Sequence, residues 1–189
     1  MTQPILIVIS GPSCSGKSTL AKEISAKFNL PLVTKDGIKE TIFDNLGWSD
    51  REWSRKVGGT SSKLINYFLG SIMVSQQPLI IESNFKPELD STPIKDKVTK
   101  HSYNTLQIMC QCDGQILFER FKKRSESGER HPGHNDSKNY DEFKEMLLKG
   151  KLEPLDIGGE TIIFDTTDFD KVSYDPIFQK IEQFLAKVL

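Results

Sequence analysis

The sequence GPSCSGKST begins at Gly11 and directly follows the apolar run PILIVIS. Gly11, Gly16, Lys17 and Ser18 match the spacing G-x-x-x-x-G-K-[ST]. A buried strand, a glycine-rich turn and the start of an amphipathic helix direct successive backbone N–H groups at one point. That arrangement attracts phosphate, so we expect an α/β fold with a nucleoside triphosphate in front of this loop. The alternative, a glycine-rich turn that only joins strand to helix, accounts poorly for four matched positions.

Each residue type in the loop predicts a contact with the nucleotide. The Lys17 ammonium is expected to reach the β- and γ-phosphates, and the Ser18 hydroxyl to hold Mg²⁺. Thr19 is expected to supply a second hydroxyl at the helix start, and Cys14 to be a small residue at the loop tip rather than a nucleophile. The predicted nucleotide-binding residues of the loop are Gly11, Ser13, Cys14, Ser15, Gly16, Lys17, Ser18 and Thr19.

Apolar runs alternate with amphipathic segments along the whole chain, which predicts a parallel sheet with helices on both faces. The predicted strands cover 5–10, 31–34, 78–83, 105–112 and 161–166. The predicted helices cover 17–28, 36–46, 61–76, 87–100 with an interruption at Pro93, 114–126, 138–149 and 176–188. Residues 45–60 carry three glycines and two tryptophans and are predicted to be irregular.

Length and composition limit the class of protein. The 189 residues are enough for a single domain over 1–189, and 25 basic against 26 acidic side chains do not suggest a nucleic-acid partner. The longest apolar run near the N-terminus is far shorter than a membrane span, and three cysteines form no disulfide framework. We therefore expect a cytoplasmic protein without a membrane partner; the sequence does not distinguish a monomer from a dimer.

A basic stretch indicates what happens to the γ-phosphate. Arg120 and Arg124 lie four residues apart on a predicted helix, and Arg130 follows in a polar loop that contains glycines. Arginine suits two-point contact with phosphate oxygens, and a basic helix end with a mobile loop suits a lid that closes over a triphosphate. We expect a lid at about 125–137 and a catalytic role for all three arginines. The alternative is a solvated basic helix with a surface loop.

Three polar residues follow strands at the expected ligand-binding edge of the sheet. Asp36 is predicted to orient the attacking group or to accept its proton, the alternative being a helix N-cap. Glu82 is predicted to hold Mg²⁺ or the acceptor, and Asn84 to bind the acceptor; a surface carboxylate and a turn residue are their alternatives. His131 and His134 are too few for a zinc site.

The order of these motifs resembles that of small P-loop kinases of the adenylate-kinase-like fold, and within them the zeta-toxin and chloramphenicol-phosphotransferase group. The resemblance implies a five-stranded sheet ordered 2-3-1-4-5, a lid, and ATP with Mg²⁺ as donor. It also implies that Asp36 contacts an acceptor hydroxyl, that the lid arginines contact phosphates, and that Thr166 and Thr167 lie by the adenine. After the third predicted strand, adenylate kinases carry an arginine that the segment ESNFK (82–86) lacks. After the second predicted strand, shikimate kinases carry two carboxylates, whereas the segment TKDG (34–37) has one.

The resulting hypothesis is an ATP- and Mg²⁺-dependent kinase that phosphorylates a hydroxyl of a small molecule. The acceptor is expected between 36–60 and 84–100, where the side chains of Trp48, Trp53, Arg51 and Arg55 are available. Two alternatives stay open: a non-catalytic module that signals ATP binding, and a toxin-like kinase of a nucleotide-sugar.

Overall fold

A parallel five-stranded sheet forms the centre of the protein. The structure is a computed structural model that describes residues 3–186, without the side chain of Lys138. The strands are β1 (Ile5–Ser10), β2 (Leu32–Thr34), β3 (Leu79–Ser83), β4 (Asn104–Gln111) and β5 (Glu160–Asp165). Their order in the sheet is β2-β3-β1-β4-β5 and every neighbouring pair is parallel, which confirms the predicted fold class.

Helices cover both faces of this sheet. The helices are α1 (Lys17–Phe28), α2 (Lys35–Leu46), α3 (Arg51–Val74), α4 (Pro87–His101), α5 (Gly114–Glu126), α6 (Tyr140–Leu148) and α7 (Asp175–Ala186). One face of the sheet packs on α1 and α7 through Leu20, Ile24, Ile177 and Ile181, and the other packs mainly on α3 and α4. A smaller apolar cluster joins α5 to α6.

The strand register brings the predicted site residues to one edge of the sheet. Ser10, the last residue of β1, lies beside Ser83 of β3, and Glu82 lies beside Thr34 of β2. All strands are parallel, so the loop after β1, the start of α2 and the end of β3 meet at the carboxyl edge. This is the edge where open α/β sheets bind ligands.

The prediction that residues 45–60 are irregular was wrong for most of that segment, because α3 already begins at Arg51. The Asp50 side chain caps this helix by accepting a hydrogen bond from the Trp53 N–H at 2.8 Å. Gly58 and Gly59 lie inside α3 in spite of their low helix propensity, since tertiary packing on one stripe outweighs it. The buried stripe consists of Ser54, Val57, Ser61, Ile65, Leu69 and Met73.

Two other predicted boundaries differ in the structure. Pro93 does not interrupt α4, which runs through it from Pro87 to His101. The carbonyl of Leu89 loses its usual N–H donor there, on a turn of the helix where Leu89 is 65% exposed. Helix α7 is described up to Ala186, and the end of the predicted helix 176–188 lies outside the described residues. Among residues 3–186, each helix is too short or too polar to cross a bilayer.

Candidate active site

The loop between β1 and α1 has the geometry of an anion-binding turn. Cys14 (φ 67°) and Gly16 (φ 75°) both take left-handed backbone conformations. A Cβ on Gly11 would lie 2.5 Å from the Cys110 carbonyl oxygen, so only glycine allows the loop to pass this close to β4. Gly16 is the N-cap of α1 and provides no side-chain cap, which leaves first-turn N–H groups of the helix to a ligand.

Lys17, Ser18 and Glu82 meet at the base of this loop. The Lys17 Nζ donates to the Pro12 carbonyl oxygen at 3.3 Å and lies 3.7 Å from Glu82 Oε1. Glu82 is 3% exposed; burial raises the pKa of its carboxyl, whereas the Lys17 charge and a hydrogen bond from Ser18 lower it. The structure thus brings together the Ser18 hydroxyl and the Glu82 carboxylate, which are both magnesium ligands by type.

These residues fit a magnesium ion that is held mainly by a nucleotide. Within residues 3–186, no group of three or more His, Cys, Asp or Glu side chains is arranged to hold a metal by itself. Mg²⁺ in phosphotransferase sites takes only one or two protein ligands, with water and phosphate oxygens completing the octahedron. Ser18 and Glu82 would supply this protein part.

We expect Lys17→Ala to weaken ATP binding about 10–100-fold, because a charge-assisted contact contributes about 1.5–3 kcal/mol. Turnover should fall as well, since the same charge faces the transferred phosphoryl group. Calorimetric titration with Mg²⁺–ATP measures the first effect. Lys22→Ala, on the exposed side of α1, is the matched control, and unchanged ATP affinity in Lys17→Ala would refute the role assigned to the loop.

Asp36 forms an ion pair with Arg130 across the mouth of the cleft. Arg130 Nη1 donates to Asp36 Oδ2 at 2.7 Å, and its Nε donates to Asp136 Oδ2 at 3.2 Å. Burial raises the pKa of Asp36, but the positive charges of Arg130 and Lys17 hold it well below its usual range. The helix-cap alternative for Asp36 is wrong: Thr34 caps α2 by accepting from the Gly37 N–H at 3.1 Å.

The segment 127–139, between α5 and α6, packs against α2. His134 is 2% exposed; its Nδ1 lies 2.9 Å from Arg130 Nη2 and its Nε2 lies 2.8 Å from Glu40 Oε1. Gly133 was expected to leave the segment free to move, yet a Cβ there would lie 2.6 Å from a Phe43 ring carbon. That glycine therefore serves close packing on α2.

The three predicted arginines have different surroundings. Arg120 donates to the Thr166 and Thr167 carbonyl oxygens at 2.8 and 2.9 Å, and its guanidinium lies 3.7 Å from the Phe169 ring centroid. Arg124 instead has a buried Nε without a hydrogen-bond partner within the described part of the chain. Burial raises the pKa of the Cys14 thiol, and Arg124, Lys17 and Arg130 are the charges that oppose this rise. Arg124 and Arg130 thus lie close enough to Cys14 for their charges to act on it, whereas Arg120 is bound to the segment after β5.

A cleft of about 970 Å³ extends from Lys17 and Ser13 along α2, α3 and α4. Predicted site residues Asp36, Glu82, Asn84 and Arg130 line it, and so do Arg51 and Arg55 of the expected acceptor region. Both arginines contact Glu142, with Arg51 bonded through two nitrogens at 2.8 Å each. The expected contribution of Trp48 and Trp53 is not seen: neither lines the cleft, because Trp48 packs on His131 and the Trp53 indole donates to the Gly47 carbonyl oxygen.

A second cavity, of about 410 Å³, opens on the other side of the start of α1. Its walls are mainly aromatic and aliphatic, with Thr166 at one end. The Thr166 hydroxyl is bonded to the Ser15 and Gln111 carbonyl oxygens, and the Thr167 hydroxyl accepts from the Asp113 N–H. The residues that line this cavity are Gly16, Thr19, Phe164, Thr166, Phe169, Val172 and Tyr174.

Sequence reasoning missed Lys39, which lies on the α2 side of the cleft and is 8% exposed. Its Nζ donates to Ser54 Oγ at 2.9 Å and lies 3.5 Å from His134 Nδ1. Burial is the main cause that lowers the pKa of Lys39 to about 8; Asp36 opposes this shift, and Arg130 and Arg51 add to it. The helical spacing of Lys35 and Lys39, four residues apart, was the only signal in the sequence for this pair.

Lys39→Met should stabilise the protein at neutral pH by about 1–3 kcal/mol, because a buried ammonium with a lowered pKa opposes folding. The folded protein releases this proton near pH 8. The unfolded chain keeps it up to about pH 10.4, so wild-type stability should rise with pH across that window. Urea unfolding at pH 7 and pH 10 measures both effects. If Lys39→Met exceeds the wild type in stability by as much at pH 10 as at pH 7, this explanation is contradicted.

Comparison with known proteins agrees with this geometry. The sequence profile of the AAA domain family AAA_18 matches residues 7–142. The chain belongs to this family. A crystal structure titled as that of a "putative kinase" from Chloroflexus aurantiacus J-10-fl is 38% identical in sequence, with a TM-score of 0.89 over 96% of this chain and 98% of that one. These two comparisons confirm the resemblance to small P-loop kinases. The loop that begins at Gly11 corresponds to the P-loop of such kinases.

Two curated relatives match shorter stretches. Adenylate kinase of Wolbachia sp. subsp. Drosophila simulans (strain wRi) is 27% identical over 130 residues, which are 64% of this chain and 59% of that protein. Cytidylate kinase of Acidiphilium cryptum (strain JF-5) is 61% identical over 33 residues, 18% of this chain and 16% of that protein. The matched region thus spans less than two thirds of the length of either relative.

Proposed function

We propose that this protein transfers the γ-phosphoryl group of ATP to a hydroxyl of a small molecule. One observation carries the proposal: the P-loop lysine, the buried Glu82 and the Asp36–Arg130 ion pair line the same cleft at the carboxyl edge of the sheet. The P-loop supplies the donor side, and α2 supplies the Asp36 carboxylate to the same cleft. A passive nucleotide binder has no need of the second group.

ATP and Mg²⁺ are the proposed donor and metal. The uncapped first turn of α1 favours a polyanion over the P-loop, and the Arg124 charge, which acts on Cys14 at the loop tip, adds to this preference. The cavity beside Gly16, with Phe169 and Tyr174 in its wall, has the flat apolar surfaces that suit a purine base. Ser18 and Glu82 would hold the metal, which would supply positive charge to the transferred phosphoryl group.

Asp36 is the proposed contact for the acceptor hydroxyl. The oxygen of that hydroxyl forms a bond to the γ-phosphorus, the bond from that phosphorus to the bridging β-oxygen breaks, and ADP leaves. The hydroxyl proton passes to the Asp36 carboxylate, which returns it to solvent when the product departs. Glu82 and Asn84 line the same cleft and are proposed to help position the acceptor.

The segment 127–139 is the proposed lid, with Arg130 as the group that moves between two partners. Here Arg130 compensates Asp36 and Asp136. Contact with the transferring phosphoryl group would release Asp36, whose pKa then rises towards its ordinary range and makes it a better proton acceptor. Arg124 and Lys17 are the other positive charges near the loop tip. Arg120 is proposed to hold the segment after β5 and not to contact the phosphates.

The experiment that tests this proposal is a screen for acceptor-dependent ADP release. Purified protein with Mg²⁺–ATP is offered hydroxylated metabolites and antibiotics, nucleoside monophosphates and nucleotide-sugars, and ADP is measured for each. We expect at least one hydroxyl compound to stimulate ADP release above the rate without acceptor. Stimulation only by nucleoside monophosphates would replace the hydroxyl acceptor by a phosphate acceptor. Tight ATP binding without stimulation by any compound would favour the signalling module.

A cytoplasmic location stays a prediction of the sequence.

A further inference from the structure

The α2–α3 side of the cleft carries more positive charge than its own carboxylates neutralise. The cleft is lined by eight Lys or Arg residues and only five Asp or Glu residues. The carboxylates of Glu82 and Glu142 are taken up by ion pairs with Lys17, Arg51 and Arg55. Asp36 and Asp136 form ion pairs with Arg130. Asp90, the fifth carboxylate, accepts a hydrogen bond from the Lys86 backbone N–H at 2.7 Å and is the negative charge that acts most strongly on Lys35.

Four cleft lysines are left without an ion-pair partner. Within residues 3–186, and with the Lys138 side chain set aside, no carboxylate oxygen lies within 4 Å of the Nζ of Lys35, Lys39, Lys63 or Lys86. Lys63 and Lys86 are exposed at the rim, where water solvates them. Lys35 and Lys39 lie one turn apart on α2, and Lys39 is buried. The Lys39 ammonium has no carboxylate oxygen within 4 Å, although the charges of Asp36 and Asp136 favour it from further away. A buried cation without a close counter-ion destabilises a fold, so this position favours an anionic ligand.

The opposite wall leaves room for that ligand. A Cβ on Gly58 would be in ordinary van der Waals contact with the Lys39 side chain at 3.7 Å, so the Lys39 ammonium lies directly against this turn of α3. A Cβ on Gly59 would meet nothing within 4 Å, which leaves open space beside it. Ser54 and Ser62 add hydroxyls to the same wall. Asn66, one turn further along α3, lines the cleft with a buried Oδ1 that has no hydrogen-bond partner in the described part of the chain. This side therefore combines unpaired cations, open space and an unused acceptor atom.

We propose that the phosphate acceptor carries an anionic group, a carboxylate or a phosphate, which Lys35 and Lys39 bind against the glycines of α3. The inference rests on the proposed function, because it specifies the substrate of the same cleft. Binding of the anion pairs the Lys39 ammonium. The anionic group also fixes the molecule so that its hydroxyl faces Asp36.

A binding experiment with simple probes tests this site without a known acceptor. The ¹⁵N-labelled protein is first saturated with Mg²⁺ and a non-hydrolysable ATP analogue, which occupies the P-loop. Inorganic phosphate and, separately, acetate are then titrated at constant ionic strength while amide shifts are followed. We expect saturable shifts at Gly58 and Gly59. Lys39→Met and Lys35→Met should each weaken the apparent affinity about tenfold, the effect of losing one charge-assisted contact.

Lys56→Met is the matched control, because Lys56 lies on α3 but pairs with Glu52 on the exposed side. It should leave the titration unchanged. Stronger binding of phosphate assigns a phosphorylated acceptor, and stronger binding of acetate assigns a carboxylated one. Absence of shifts at the α3 glycines with both probes, or wild-type affinity in both lysine variants, overturns the inference. Binding of the ATP analogue in the same samples reports on the P-loop independently, so failure of the anion site and failure of the nucleotide site are distinguished.

Discussion

Replacing Asp36 by asparagine should lower turnover about 10²–10⁴-fold, the range expected when a group that accepts a proton in the transition state is lost. ATP affinity should change little, because the nucleotide is held by the P-loop. Folding should be only mildly affected, since Thr34 caps α2 and Arg130 keeps Asp136 as a partner at 3.2 Å. Turnover, ATP affinity and thermal stability of both proteins are the measurements.

Asp96→Asn provides the control for the Asp36 variant. It removes one negative charge from an exposed position on α4, outside the cleft, and should leave turnover unchanged. Full activity in Asp36→Asn would remove the carboxylate from the chemistry. A loss of turnover matched by an equal loss of ATP affinity would mean that Asp36 acts on nucleotide binding instead.

Arg130→Ala should lower turnover about 10³-fold or more, because arginines that stabilise a transferring phosphoryl group have effects of this size. ATP affinity should fall by less than about tenfold, since the contact strengthens mainly in the transition state. The variant should also be less stable by about 3 kcal/mol. This loss arises because Asp136, whose side chain is 6% exposed, loses its cationic partner.

Arg130→Lys should restore only part of the lost turnover. Arg130 uses two different nitrogens for Asp36 and Asp136, and one ammonium cannot reproduce that fork. Lys123→Ala, at an exposed position near the end of α5, is the control for the loss of one positive charge. Equal proportional losses of turnover and ATP affinity in Arg130→Ala, or no loss of either, would contradict a catalytic lid.

The fold could be predicted from the sequence because its signals are local. A continuous apolar strand followed by a glycine-rich turn fixes the P-loop, and alternation of strands and helices fixes a parallel sheet. Local reasoning failed where packing outweighed propensity: Gly58 and Gly59 suggested a loop but lie inside α3. It also failed at Pro93, which lies inside α4 on a partly exposed helix instead of interrupting it.

The site was predictable only where residue type and position along a strand coincide. Asp36 and Glu82 follow or end strands and were found for that reason. Lys39 and His134 come from segments 95 residues apart, and nothing in either segment predicts their 3.5 Å approach. Such a cluster follows from the way 127–139 packs on α2, which is a tertiary property. Arg120 shows the converse, because its motif suggested a phosphate contact while packing ties it to two carbonyl oxygens.

The central claim, phosphoryl transfer to an acceptor hydroxyl, is tested most directly by following the γ-phosphorus itself. Protein, Mg²⁺–ATP and an acceptor from the screen are observed by ³¹P nuclear magnetic resonance. We predict that a phosphomonoester signal grows at the rate at which ADP appears, and that both stop in Asp36→Asn. Growth of inorganic phosphate alone, or ADP formation that Asp36→Asn leaves unchanged, would contradict the account.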